Sequence, residues 1–488
     1  MKKLIDLVFR MNYTLRQGSL DSDISAVVYD SRKAEPGCIF VCMPGAVTDG
    51  HKYIPAAIEA GAAAVVVERD VEVPFDITVI EVDNARLALA ELSAAWFGHP
   101  AEKLTTIGVT GTKGKTTTTY MMKGMMEKAG LPTGLIGTIE VIIGEQHIHA
   151  VNTTPESWLV QKYFADMVDA GIRYVVMEVS SQAMKLDRVS GFTFDYAIFT
   201  NLEPDHIGPG EHASMEEYIA CKGLLFQRCR HGLVNAEADY LEEVLKGHTC
   251  SVESFGLSER ADLRAQNIQL IHQPGFLGVE YDLTGLESYH VRVDIPGDFT
   301  VYNSLAAIAL CCRLGVSREA ILEALNTIQV KGRLEIVPTP GEYTLMIDYA
   351  HNAMSLEALL KSIRRYGPER ILCLFGCGGN RARSRRFEMG EVSSRLADLT
   401  VVTSDNPRNE EPMAIIEDIL VGVKKADGKY VTIPDRKEAI AWCMKEGRKG
   451  DIILLAGKGH EDYQEIRGVK HHMDERELIA EIIAETKE

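Results

Sequence analysis

The run Gly111-Thr112-Lys113-Gly114-Lys115-Thr116-Thr117 sets two glycines, two lysines and a series of hydroxyls between two patterned stretches. Before it, Leu104 to Val109 is apolar and reads as a strand; after it, Thr118 to Lys128 reads as a helix. A glycine-rich turn at that junction frees backbone N–H groups to face phosphate oxygens at the positive end of a helix. Lys115 would reach the terminal phosphates and Thr116 would offer its hydroxyl to Mg²⁺. The usual phosphate loop has a glycine where this chain has Val109, so the loop is a shorter variant.

Two further apolar runs end in polar residues of the kind a phosphate site uses. Tyr174 to Val179 carries Glu178 and leads into Ser180-Ser181. A carboxylate at a strand end suits Mg²⁺, which takes few carboxylates and completes its shell with phosphate oxygens. Tyr196 to Thr200 leads through Asn201-Leu202-Glu203-Pro204 to Asp205 and His206, which can reach the same phosphates. Lys222 lies on a stretch from His212 that reads as a helix, where spacing alone makes it a solvated lysine.

The elements that must position these residues alternate strand-like and helix-like, which predicts an α/β chain with parallel sheets. Three units are drawn: residues 1–100, 101–332 and 333–488. The first has short strands (Cys38 to Cys42, Ala64 to Val67, Ile77 to Val82) and the helix Ala85 to Trp96, ended by His99-Pro100. The second opens on the phosphate-loop strand, turns β-rich between Cys250 and Pro296, and closes with a helix from Asn303 to Leu314. The third carries strands Thr344 to Asp348, Ile371 to Phe375, Leu399 to Thr403 and Ile452 to Ala456, a second doubly wound sheet. Ligands of such sheets sit at the carboxyl ends of strands, where Asp348, Gly376 to Gly379, Asp405 to Arg408 and Gly457 to Glu461 fall.

Composition narrows the partners. With 488 residues, 46% hydrophobic and 25% charged, the chain has the make-up of an ordinary multidomain globular protein. A formal net charge of −18 argues against nucleic acid and anionic membranes as partners. Anionic substrates must therefore meet local positive sites, the phosphate loop and the cluster Arg381, Arg383, Arg385, Arg386. No signal peptide and no membrane-length apolar run is seen, and the ten cysteines lack paired spacing. The expectation is a cytoplasmic monomer with buried free thiols.

Seven motifs stand in one order: Gly-Thr-x-Gly-Lys-Thr-Thr, Glu-Val-Ser-Ser, Asn-Leu-x-Pro-Asp-His, Gly-x-x-x-x-Tyr-Asn, Gly-Arg-Leu-Glu, Asp-Tyr-Ala-His and Gly-Lys-Gly-His-Glu. The series resembles the Mur ligases of peptidoglycan synthesis, and most of all their diaminopimelate-adding branch. That resemblance implies a UDP-sugar-binding domain, a central P-loop-type ATPase and a Rossmann-like amino-acid domain. It implies that ATP, with Mg²⁺, phosphorylates the D-glutamate carboxylate of UDP-MurNAc-L-Ala-D-Glu, and that the amine of meso-diaminopimelate attacks the acyl phosphate.

The resemblance also assigns roles. Lys115, Glu178, His206 and Lys222 would be catalytic. Gly111, Thr112, Lys113, Gly114, Thr116 and Thr117 would bind ATP with Asn303, Arg333 and Asp348. Thr116, Glu178, His206 and Lys222 would hold the metal, Lys222 as a carbamate. Two unit charges about 4 Å apart at an effective dielectric near 20 interact by about 4 kcal/mol, so a bare ammonium beside Mg²⁺ would be repelled by roughly 8 kcal/mol. Carbamylation reverses that sign.

Ser31, Asn152, Thr153, Thr154, Ser180 and Arg188 resemble contacts to the UDP-MurNAc-peptide. Arg386, Asp405, Asn406, Pro407, Arg408, Gly457 and Glu461 resemble the reader of the amino acid. Arginines fork onto a carboxylate and Glu461 takes an ammonium, which suits the far end of diaminopimelate. Lys113, Gln182 and Asn352-Ala353-Met354 depart from the common pattern and leave the added amino acid open to L-lysine or another diamino acid. A folylpolyglutamate-synthetase-like enzyme and an ATP-gated binding protein without catalysis stand as the other readings.

Overall fold

The computed structural model describes residues 1–486 except 46, 47, 206, 209 and 274. The chain gathers into two compact units, one of Met1–Leu263 with Leu305–Ile321, the other of Arg264–Ser304 with Leu322–Glu488. Residues 1–100 and the phosphate-loop sheet thus share a unit.

In the first unit, residues 1–100 build a five-stranded sheet in the order Thr14–Gln17, Thr78–Glu81, Ala64–Val67, Ile39–Val41, Val27–Val28. Only Thr14–Gln17 runs antiparallel to its neighbour. Ala64–Val67 is buried at every position, as a parallel strand covered on both faces must be. The helix Ala85–Trp96 forms where the sequence predicts it. Asn84 starts it by accepting from the N–H groups of Arg86 and Leu87.

The second sheet of this unit places Gln146–His149, Glu140–Ile143, Thr133–Ile136, Tyr174–Glu178, Thr105–Thr110, Phe194–Phe199, Cys229–Asn235 and Ser251–Gly256 side by side. From Thr133–Ile136 onward the strands are parallel. Register sets Glu178 opposite Val109 and Phe199 opposite Thr110. The three strand ends that carry the candidate residues therefore meet at one sheet edge.

The second unit holds a meander, Leu263–Gln273, Phe276–Gly285 and Tyr289–Val293, and a six-stranded sheet. The sheet order is Glu335–Val337, Thr344–Asp348, Ile452–Ala456, Ile371–Phe375, Leu399–Val402, Tyr430–Thr432. All pairs but the first are parallel. Ile452–Ala456, the last of these strands in the chain, lies between two earlier ones, which opens a crevice at the carboxyl ends. Asp348 closes its strand, Gly376 and Gly457 directly follow theirs, and Asp405 comes shortly after the end of Leu399–Val402, as expected. The helix Asp298–Arg313 starts five residues before Asn303. The ten cysteines are free thiols, nine of them buried.

Candidate active site

The phosphate loop is built by two glycines that no other residue replaces easily. A Cβ on Gly111 would lie 2.0 Å from Thr200 Oγ1. Gly114 holds φ at 86° and starts the helix Lys115–Lys128. The loop is strapped to the next strand end: Thr112 N–H donates to Asn201 O at 3.0 Å and Lys113 N–H to Asn201 Oδ1 at 2.9 Å. Lys113 Nζ pairs with Glu203 at 2.6 Å. The N–H groups of Thr112 and Lys113 are thus turned inward. Those of Thr116 and Thr117, in the first helical turn, have no intrahelical partner.

Two lysines converge on one oxygen. Lys115 Nζ donates to Gly111 O at 2.8 Å and Lys222 Nζ donates to the same oxygen at 2.9 Å. Lys222 is 2% exposed, on the helix Met215–Gln227, and its Nζ lies 4.6 Å from the Tyr218 ring centre. Burial pushes its pKa well below the usual lysine range; Lys115 adds to this and Asp205 opposes it. The solvated lysine that spacing alone suggests is therefore corrected: the helix turns Lys222 inward. A neutral amine is the form that adds CO₂.

Glu178 is 1% exposed. Thr138 grips both its oxygens, through its N–H and its hydroxyl, each at 2.9 Å. Gly137 makes room, since a Cβ there would lie 2.7 Å from Glu178 Oε1. A fit to Mg²⁺ follows from donor chemistry. The Thr116 hydroxyl, the Glu178 carboxylate and a carbamate on Lys222 are hard oxygen donors. Among the described residues no group of three or more His, Cys, Asp or Glu could hold a metal, so an ion here would draw its other oxygens from phosphate and water. His206 lies outside the described residues.

Beside Glu178 runs a polar strip. Thr154 Oγ1 donates to Glu178 O at 2.8 Å and accepts from Ser180 N–H at 3.1 Å. Thr153 Oγ1 meets Thr138 Oγ1 at 3.1 Å, and Arg188 donates to Thr154 O at 3.2 Å. Burial and the Glu156 carboxylate push the Tyr29 hydroxyl up, with Arg188 opposing. The segment leading to Ser31 thus lies near the Arg188–Glu156 pair. Asn152 is exposed at the end of the strip.

In the second unit, Asp348 accepts from the N–H groups of Leu334 and Ala350, each at 2.9 Å. Burial holds its carboxyl above the ordinary range against Arg333. The Arg333 guanidinium lies 4.7 Å from the Tyr349 ring centre, with His351 and His460 rings at 4.7 and 4.8 Å from the same ring. This stack suits a planar heterocycle. Asn303 is buried within its helix.

The expected amino-acid reader is assembled from three loops. Arg408 holds φ at 51° and donates to Glu465 Oε2 at 3.1 Å and Gly379 O at 2.7 Å. Gly379 N–H donates to Asn406 O at 2.8 Å, and a Cβ on Gly379 would lie 2.0 Å from Pro407 O. Asn406 Nδ2 donates to Glu461 Oε2 at 2.8 Å. Asp405 Oδ2 lies 3.2 Å from where a Cβ of Gly457 would stand. Arg386 is 2% exposed and pairs with Glu410 at 2.8 Å and Asp418 at 3.0 Å. It is tied through Glu410 to the loop that carries Arg408.

Sequence reasoning assigns nothing to three residues that hold these loops. Glu410 is one. Lys458, wholly buried, is another. Arg436 is the third: it pairs with buried Glu475 and donates to Ser404 O at 3.1 Å and Ala456 O at 3.2 Å. It thereby ties together the strand ends that launch two of the loops.

Comparison with known proteins bears on the whole chain. Models described as Mur ligase family catalytic domain, Mur ligase middle domain and Mur ligase glutamate ligase domain match residues 23–97, 109–311 and 332–459. The UDP-N-acetylmuramoyl-L-alanyl-D-glutamate–2,6-diaminopimelate ligase 1 of Clostridium acetobutylicum is 42% identical over 488 residues, 99% of each chain. The ligase of that name from Caldanaerobacter subterraneus subsp. tengcongensis is 40% identical, over 99% of this chain and 100% of its own. A solved structure of a UDP-N-acetylmuramoyl-L-alanyl-D-glutamate–2,6-diaminopimelate ligase superposes with a TM-score of 0.74 at 25% identity, covering 100% of this chain and 99% of the other.

Proposed function

This chain belongs to the Mur ligase family, and from that membership we propose how its residues carry out the reaction. The protein is an ATP-dependent ligase that joins diaminopimelate to UDP-MurNAc-L-Ala-D-Glu. The D-glutamate carboxylate attacks the γ-phosphorus of ATP, ADP leaves, and an acyl phosphate forms. An amine of the amino acid, meso-diaminopimelate in this reading, then attacks the acyl carbon. Phosphate departs with the bonding pair, the amine gives up a proton, and an amide remains. The protein positions these groups and neutralises charge.

The observation that carries the assignment of roles is the meeting of Lys115 and Lys222 on Gly111 O. Two full ammonium groups on one uncharged oxygen repel each other. An incoming phosphate draws Lys115 toward it, and CO₂ converts Lys222 into an anion. Thr116, Glu178, His206 and carbamylated Lys222 would hold Mg²⁺, which when bound neutralises charge on the phosphates. Thr116 and Thr117 present N–H groups to phosphate. Arg333, Asp348 and Asn303 receive the nucleoside. Ser31, Asn152, Thr153, Thr154, Ser180 and Arg188 receive the sugar-linked dipeptide. Functionally this divides the chain at 1–100, 101–332 and 333–488.

No helix among the described residues is long and apolar enough to cross a membrane. The test is phosphate release from ATP with UDP-MurNAc-L-Ala-D-Glu, offering each diamino acid in turn. Release with meso-diaminopimelate is expected. Release with L-lysine alone would reassign the substrate, and no release with any acceptor would end the enzymatic reading.

A further inference from the structure

Lys458 is 0% exposed and is a candidate that the reaction above leaves unused. Its three N–H groups are all placed. Nζ donates to Asn406 Oδ1 at 3.0 Å, to Glu461 Oε2 at 3.0 Å and to Tyr463 O. Asp405 Oδ1 stands 3.7 Å away, so two carboxylates compensate the buried charge.

These bonds fix what Asn406 and Glu461 present. Asn406 Oδ1 also accepts from Glu465 N–H at 2.9 Å, while its Nδ2 donates to Glu461 Oε2. Two donors on one side and a carboxylate on the other admit a single orientation of the amide. Glu461 Oε2 is taken by both Lys458 and Asn406. Its Oε1 carries no hydrogen bond among the described residues. The carboxylate is therefore anchored by one oxygen and offers the other.

We infer that Lys458 is a positioning residue for the third substrate: it aims Glu461 Oε1 at an ammonium group of the incoming amino acid and locks the Asp405–Arg408 loop through Asn406. This rests on the reading, given above, that Glu461 and that loop meet the amino acid. A bare lysine does this better than arginine would, because the site takes a compact point charge with three divergent donors and not a planar fork.

The test replaces Lys458 with methionine, of similar length and uncharged, in the full-length enzyme. Steady-state phosphate release gives KM for diaminopimelate, for ATP and for the UDP-linked dipeptide. The expected result is a rise of about 10- to 100-fold in KM for diaminopimelate, with both other KM values within about twofold. A cycle with Glu461→Gln checks the route. Because Lys458 acts partly through Glu461, adding Lys458→Met to Glu461→Gln raises KM for diaminopimelate by a clearly smaller factor than Lys458→Met does in the wild type. Equal rises in all three KM values, an unchanged KM for diaminopimelate, or full additivity in the cycle would each overturn the inference. A thermal melt accompanies the kinetics, and Lys458→Gln is the second variant. If both proteins are unfolded at the assay temperature, the lysine serves the fold alone and the inference fails. Wild-type enzyme that releases no phosphate with diaminopimelate would instead refute the substrate reading, whatever Lys458 does.

Discussion

The phosphate loop and the proposed amino-acid reader both hold basic side chains out of solvent, and they hold them in different ways. In the first unit Lys115 and Lys222 rest on the carbonyl of Gly111, an oxygen with no net charge. In the second unit Lys458 faces Glu461, Arg408 faces Glu465, and Arg386 faces Glu410 and Asp418. A basic group held on a neutral carbonyl is free to change its charge or its partner when CO₂ or an anion arrives. A cation bound by carboxylates is already compensated and works by fixing geometry. The first arrangement answers to charge, the second to shape. A site for ATP, rich in charge and common to many enzymes, needs the former. A site that separates one diamino acid from another needs the latter, since unpaired polar groups reject the wrong ligand most strongly.

The contrast breaks first at Lys222. Lys222→Ala should lower turnover by about 10³-fold or more, with partial recovery on adding short carboxylic acids that stand in for the carbamate. Phosphate release measures both, and full activity without additive would remove Lys222 from the charge-completing group. Next comes Arg408→Ala, expected to raise KM for diaminopimelate about 10- to 100-fold while KM for ATP stays within about twofold. Comparable effects on both substrates would erase the division of labour.

Gly137→Ala sharpens the contrast on a smaller scale. The new methyl meets Glu178 Oε1 at 2.7 Å, an oxygen that Thr138 N–H holds, so unfolding free energy should fall by about 1–3 kcal/mol. Displacing that carboxylate should still cost about tenfold in turnover. Urea melts and initial rates together check the split; a large stability loss with normal rates would mean that Glu178 only holds the fold.

The smallest effect is one of pH. Burial lowers the pKa of Lys222 in the folded protein, so between that pKa and the unfolded value the unfolded chain binds the extra proton. Stability then rises with pH through this window. Unmodified wild type, kept free of CO₂, should gain on Lys222→Met as pH climbs from 7 toward 10, read as a shrinking gap between urea midpoints. A gap that does not change would show that the amine is not held neutral.

Much of this is legible in the sequence, and the reason is local. Glycines at 111 and 114, a lysine at 115 and an apolar run before them make a phosphate loop wherever they occur together. The strands Ala64–Val67, Thr344–Asp348 and Ile371–Phe375 appear within the bounds their apolar runs suggest. What pattern could not reveal is which donors are already spent. Thr112 and Lys113 turn their N–H groups onto Asn201, almost ninety positions away. Arg386 reads as an arginine aimed at the amino acid, yet a loop and a helix bring Glu410 and Asp418 around it and take up its guanidinium. Lys458 sits between two glycines in a recognisable motif, and only the approach of Asn406 and Tyr463 shows why it is a lysine. Arg436 has no local signature at all. Breaking its buried pair with Glu475 would leave an uncompensated charge costing about 3–5 kcal/mol, a dependence created wholly by tertiary packing.

Arg408 keeps its left-handed backbone at φ 51° although glycine would adopt that angle with less strain. A library of variants screened only for heat resistance should therefore tolerate glycine at this codon. The same library screened for growth on its own product should return arginine alone. Divergence of the two screens at one position would mark where selection has preferred recognition over comfort.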